Sequence, residues 1–275
     1  MLHRDLTFGV FGKWLHVVDD QERYPPLFGF DQLFGGPTVK FLLLLSLQAR
    51  CINISNEVLT LLRDGHVEAA AARTRSLWEV VVTSVVLVSS REENGWEITD
   101  RYYLSTLHEM QKDGFDDDHS PDLADFPGLT EKIRDAWGKE FFDQYGWARP
   151  LIPNLPPKAR VTFRHLEEVA GGEDFRFLYR EFNHAVHSGA TNTVTRLDTR
   201  RPDINPTRPT ADFETTARVG WACTRFSTIC LTETALSIST GTSEWDSMLS
   251  CWEVLELSEE ITEAFDECIG GHSHD

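Results

Sequence analysis

PTVKFLLLLSLQARCINISNEVLTLLRDGHVEAAAARTRSLWEVVVTSVVLVSS, residues 37–90, decides how this chain folds. Gly35-Gly36-Pro37 marks a helix start, because proline is pre-set for the first helical turn. From Thr38 to about Arg63 the apolar residues recur at helical spacing, and Asp64-Gly65 supplies a stop. A second long helix then runs from about His66 to Ser90, closed by Asn94-Gly95. Its β-branched run Val80–Val88 continues a strong helical pattern and is kept helical. Two long helices joined by so short a connection must lie antiparallel.

The rest of the chain extends this pattern. Glu97 to Lys112 reads as a third helix, Asp113 to Pro127 as an acidic loop, and Gly128 to about Gln144 as a fourth helix. A connection with Pro150, Pro153, Pro156 and Pro157 cannot be helical throughout. A short helix around Phe163–Ala170 ends at Gly171-Gly172, and Asp174 is placed to cap a helix that runs to about Ser188. An irregular stretch, Ala190 to Pro209, precedes two last helices at about Thr210–Thr240 and Ser243–Cys268. The expected fold is all-α, a helical bundle of about seven helices. Residues 1–36, rich in Phe, Trp, Gly and Pro, form an irregular arm packed on it by its rings. The bundle is one principal domain, 37–268, and 269–275 is a polar tail.

An apolar fraction of 41% and a charged fraction of 25% suit a folded globular protein, while a net charge of −18 opposes loose binding along a nucleic-acid backbone. A local basic site is still compatible with that total, since only the nearby field acts on one phosphate. The N-terminus lacks a secretory signal pattern. The greasiest runs, Phe41–Leu45 and Val80–Val88, fall short of the roughly 20 apolar residues needed to cross a bilayer. Cys51, Cys223, Cys230, Cys251 and Cys268 are widely spaced without a Cys-x-x-Cys pair, as expected of reduced, packed thiols in a cytoplasmic protein.

The segment with most chemical content is Asp174-Phe-Arg-Phe-Leu-Tyr-Arg-Glu-Phe-Asn-His-Ala-Val-His-Ser-Gly189. At helical spacing Phe175, Leu178, Phe182 and Val186 share a core stripe. Arg180, His184 and His187 cluster within about 60° on the opposite side, with Asn183 and Tyr179 grading towards the core. A guanidinium beside two imidazoles suits attack of a ribose 2′-hydroxyl on the neighbouring phosphate. An imidazole moves the proton, and arginine holds the phosphorane charge. The same face also suits a solvated helix surface, with His187 capping backbone carbonyls at the helix end.

The spacing Arg180-x6-His187 resembles the Arg-x4–6-His signature of HEPN-type ribonucleases, and Arg101-x6-His108 and Arg160-x4-His165 share it. Placement favours Arg180: near a helix end, beside a second histidine, ahead of a basic loop. Arg75-Ser-Leu-Trp-Glu79 on an early helix, followed by Tyr179-x3-Asn183-x3-His187-Ser188 on a late one, resembles a bacterial helical family of unknown function over roughly residues 40–240. That family's proteins resemble HEPN folds. The resemblance implies a metal-independent endoribonuclease in a toxin or phage-defence setting, working as a homodimer without a cofactor. His187, Arg180 and His184 would be catalytic. Asn183, Tyr179, Ser188, Arg75, Glu79, Arg200 and Arg201 would contact the RNA.

Arg75 and Glu79 are also spaced to pair along their own helix, as a brace or to orient His187. Ala190–Pro209 carries Arg196, Arg200, Arg201 and Arg208, and either binds phosphate or pairs with surplus carboxylates. Glu181-x-x-His184 has the step of a di-iron bundle without its second copy, and Asp116-Asp-Asp-His119 lacks the ligand alternation of a calcium loop, so no metal site is expected. No phosphate-binding glycine loop or Gly-x-Ser-x-Gly elbow occurs. The rival to an enzyme is a non-catalytic helical module whose acidic surface binds a basic partner protein, such as an antitoxin or regulator.

Overall fold

The computed structural model describes residues 37–90, 95–112, 129–186, 213–238 and 244–270. Among the described residues there are eight α-helices, three short 3-10 turns and no strand, so the chain is all-α. The aromatic arm expected over 1–36 lies outside them, as do the acidic loop, the basic stretch 190–209 and the last five residues of the tail.

These residues divide into two compact units, one holding Leu44–Val85 and the chain from Gly172 onward, the other holding the residues up to Leu43 and Val86–Gly171. The deciding segment forms α1 (Pro37–Arg63) and α2 (Val67–Ser89). Between them Gly65 adopts φ 79°, its N–H bonds Leu62 O at 3.1 Å, and the His66 N–H bonds Leu61 O at 2.8 Å. This paired closure satisfies the last carbonyls of α1 and needs a residue that tolerates the left-handed region, which is why Asp-Gly stops the helix there.

In the first unit α1 and α2 run antiparallel, as the ion pair of Glu57 with Arg73 at 2.5 Å requires. Leu44, Leu47, Cys51, Ile54 and Val58 form the buried stripe of α1, at steps of three and four. They share the unit's core with Leu77, Trp78 and Val81 of α2 and with three further helices. These are α6 (Arg176–Val186), α7 (Phe213–Ile238) and α8 (Glu244–Gly270). The Trp78 ring lies 4.5 Å from that of Phe226 and 5.2 Å from that of Phe175, so one indole ties α2 to α7 and to the entry of α6. The α7–α8 contact depends on Gly220, where a Cβ would come within 2.4 Å of the Phe265 ring. All five cysteines are free thiols. A hydrogen bond to Cys230, reinforced by burial, holds the Cys51 thiol far above its ordinary value, which makes it a packing group and not a nucleophile.

The second unit contains α3 (Gly95–Lys112), α4 (Leu129–Trp137) and α5 (Phe163–Val169). The helix expected over Gly128–Gln144 stops early. Gly138 has φ 78°, its N–H bonds Arg134 O at 2.9 Å, and the chain tightens into a 3-10 turn at Lys139–Phe142. A second 3-10 turn, Gly146–Leu151, follows, and its Trp147 is buried against Tyr102 of α3. The Pro-rich connection is held by one side chain: Arg149 donates to the carbonyls of Ala159, Pro156 and Pro157 at 2.8, 3.0 and 2.9 Å. Non-helical backbone leaves carbonyl lone pairs open, and a guanidinium with several N–H groups can serve three of them at once. Thr162 then caps α5 in a reciprocal box with His165.

Candidate functional site

Helix α6 carries the residues on which the sequence reading converges. Its start differs from expectation: Asp174 does not cap it but lies inside a 3-10 turn, Glu173–Phe175, whose N-terminal flank is Gly172 with no side-chain cap. From Arg176 the helix is regular, and Leu178 and Phe182 are buried at 1% and 2% exposure, as the core stripe requires. Arg180 and His184 are exposed, while Tyr179 and Asn183 are half-buried between the two faces.

Those two half-buried residues meet Arg75 and Glu79 of α2. The Arg75 Nε donates to Asn183 Oδ1, and its Nη2 donates to the Tyr179 hydroxyl at 2.9 Å. That hydroxyl donates in turn to Glu79 Oε1 at 3.0 Å, and Glu79 Oε1 lies 2.9 Å from Arg75 Nη2. The guanidinium carbon also sits 5.0 Å from the centroid of the Tyr179 ring. Three donors and acceptors thus close a triangle, with Asn183 as a fourth corner. Burial, with the negative charge of Glu79, pushes the Tyr179 pKa well above the usual phenol range. Tyr179 is therefore a neutral donor at physiological pH and not a proton acceptor.

The arrangement is a brace between α2 and α6, fixing both the rotation and the height of α6. Because Asn183 spends its oxygen on Arg75, the end it has left is the amide NH2, a donor suited to an anion. Arg180 and His184 lie on the adjoining outward face, set by the same rotation. The structure thus brings together Arg75, Glu79, Tyr179 and Asn183, with Arg180 and His184 beside them. His187, Ser188, Arg200 and Arg201 lie outside the described residues.

One feature was missed in the sequence. Glu181, next to Arg180, is held by Arg218 of α7 at 3.0 Å, and Arg218 also holds Glu214 at 2.6 Å. The Glu214–Arg218 spacing of four was the available signal, but nothing in the sequence tied it to Glu181. The pair matters electrostatically, since it offsets the Glu181 carboxylate beside the Arg180 guanidinium.

The two other Arg–His spacings of the same signature have structural partners. Arg101 pairs with Glu97 at 2.8 Å, and the His108 ring packs 4.7 Å from that of Phe142. Arg160 lies 3.5 Å from Asp143, and His165 Nδ1 accepts the Thr162 N–H at 3.0 Å. Among the described residues no group of three or more His, Cys, Asp or Glu side chains is placed to hold a metal ion, and no helix is long and apolar enough to cross a membrane.

A family model described as a family of unknown function, DUF5677, matches residues 41–203. The match takes in both halves of the brace and stops short of α7 and α8. No curated protein and no solved structure matches the chain.

Proposed function

The chain belongs to the family of unknown function DUF5677, and we propose that it is a HEPN-like helical bundle that cuts RNA without a metal ion, in a toxin or phage-defence setting. The observation that carries this reading is the brace. Arg75-x3-Glu79 and Tyr179-x3-Asn183, far apart in sequence, bond each other and lock the helix whose outward face presents Arg180 and His184.

In sequence His187 follows Asn183 by four residues, the spacing that keeps side chains on one helix face. Its imidazole takes the proton of a ribose 2′-hydroxyl as that oxygen attacks the adjacent phosphorus. The P–O5′ bond breaks, the proton passes to the leaving 5′-oxygen, and the products are a 2′,3′-cyclic phosphate and a 5′-hydroxyl. Arg180 stabilises the extra negative charge of the phosphorane with paired donors, and His184 and the Asn183 amide position the phosphate. Arg75, Glu79 and Tyr179 act as positioning residues, holding α6 in register. Ser188, Arg200 and Arg201 contact the RNA strand, a homodimer brings two such helices together in the cytoplasm, and an antitoxin-like protein restrains the enzyme.

The decisive experiment incubates purified protein with RNA in EDTA and maps the ends produced. Arg180→Ala and His187→Ala are each expected to slow cutting by about 100-fold or more. Undiminished cutting by either variant, or a wild type that never cuts, ends the proposal.

A further inference from the structure

Helix α8 has two unlike sides. One packs on α7, with Cys251, Val254, Ser258 and Thr262 buried and Phe265 seated over Gly220. The other exposes Met248, Leu249, Trp252 and Leu255, each between 40% and 64% accessible. Residues 248, 252 and 255 recur at helical spacing, so these side chains form one apolar stripe and not scattered exposure. The Trp252 indole N–H already donates to Glu256 Oε1 at 2.6 Å, so covering the ring would leave no polar atom unpaired. Beyond Leu255 the same face turns acidic: Glu256, Glu259, Glu263 and Asp266 continue the stripe and are exposed. Glu244–Gly270 holds nine acidic residues and not one lysine or arginine.

We propose that this face of α8 docks an amphipathic, cationic helix of a partner protein, with apolar anchors over Trp252 and lysines or arginines over the acidic half. Charge selects that occupant. A second copy would set nine carboxylates against nine. Anionic lipid would be repelled in the same way. The chain's own segment 1–36 has Asp5, Asp19, Asp20, Glu22 and Asp31 against only Arg4, Lys13 and Arg23. The basic stretch 190–209 sets Asp198 and Asp203 among its four arginines and has only Val194, Leu197 and Ile204 as large apolar residues, too few anchors for the face of Met248, Leu249, Trp252 and Leu255. A cationic amphipathic helix matches both halves of the stripe, and the mode is that of a helix laid in an apolar groove. The inference does not depend on RNA cleavage.

Two measurements on the 275-residue chain test it. The first titrates a synthetic Leu–Lys amphipathic helix of about 18 residues, roughly five turns, and its Leu–Glu counterpart. The Leu–Lys probe is expected to bind and the Leu–Glu probe not. Trp252→Ala should weaken binding about 10-fold or more, as truncation of a central aromatic anchor does. Binding that falls with Glu259→Lys and Glu263→Lys but ignores Trp252→Ala is unspecific charge attraction and overturns the proposal. The second places a photo-crosslinking amino acid at Glu253 in the producing cell. A cross-link to a defined basic amphipathic segment of another protein, whose synthetic peptide then binds with the same Trp252 dependence, is the expected result. Cross-links only to a second copy, to residues 1–36 or to 187–212, or none at all, overturn it.

Discussion

Each compact unit contains an arginine paired with a glutamate four residues away on its own helix, and each of these arginines also faces an aromatic ring. In the first unit Arg75 and Glu79 are 2.9 Å apart, and in the second Arg101 and Glu97 are 2.8 Å apart. The surroundings differ. Arg75 also donates to Tyr179 and Asn183 of another helix, and the Tyr179 hydroxyl passes a further hydrogen bond to Glu79. Arg101 lies with its guanidinium 4.5 Å from the Trp137 ring, and its neighbour Asp100 has an Oδ1 with no hydrogen-bond partner. Burial pulls the Arg101 pKa down, Glu97 pushes it back, and burial together with Glu97 raises Asp100 to about 6. One pair specifies how two helices meet. The other is tolerated inside an apolar layer and leaves an acid under strain. The difference separates a polar cluster that fixes how two helices meet from one that merely fits.

Removing the arginines should separate the two pairs most sharply. Arg75→Met takes the donor from the Asn183 oxygen and the counter-charge from Glu79, which keeps only the Tyr179 hydroxyl, and is expected to cost about 2–3 kcal/mol. Arg101→Met keeps an apolar side chain against Trp137 and unpairs only Glu97 on its own helix, taking no donor from an acceptor on another helix, so about 1 kcal/mol is expected. Urea denaturation at neutral pH measures both. Equal losses would erase the distinction. Under the proposed function Arg75→Met also slows RNA cutting, while Arg101→Met leaves its rate unchanged.

Asp100 sharpens the comparison through pH. Its folded pKa of about 6 lies above the ordinary 3.8, so between these values the native state keeps a proton that the unfolded chain has lost. Stability contributed by the protonated form is therefore present at low pH and declines as pH rises through about 6. Asp100→Asn removes that loss. It should stabilise the protein by on the order of 1–2 kcal/mol at pH near 7.5 and change little near pH 4. Thermal melts at the two pH values check it, and a gain of equal size at both would show that charge is not the cause.

Tyr179→Phe is a smaller perturbation, because the Arg75–Glu79 pair survives it. A loss of about 1 kcal/mol is expected, and a double-mutant cycle with Glu79→Gln should show coupling of similar size. Additive losses would mean that the hydroxyl and the carboxylate do not act together.

Much of the fold could be read ahead of the structure where local chemistry decides it. The α1–α2 hairpin follows from strong apolar periodicity and the φ 79° glycine of Asp64-Gly65. The premature end of α4 did not, because a glycine within a helical pattern gives no sign of whether the chain turns there; Gly138 turns. At the site, the motif resemblance named Arg75, Glu79, Tyr179 and Asn183, and α6 periodicity placed Arg180 and His184 outward. That the first four bond one another is a tertiary fact with no spacing to announce it. The Glu181–Arg218 pair was invisible for the same reason, since its members lie on helices brought together only by the core.

The smallest expected effect concerns the third Arg–His spacing. Arg160 reaches Asp143 at 3.5 Å with 79% of its side chain exposed, so Arg160→Ala should change stability by less than about 0.5 kcal/mol. His165 does more. Its Nδ1 accepts the Thr162 N–H while the Thr162 side chain accepts from the His165 backbone. Losing half of that box by His165→Ala should therefore cost about 0.5–1 kcal/mol and fray the start of α5. Amide hydrogen exchange at residues 162–166 reads that fraying directly. If Arg160→Ala frayed α5 as much as His165→Ala, the two residues would be working as a unit. The Arg-x4–6-His signature they share with Arg180 and His187 would then carry structural meaning even where no chemistry is expected.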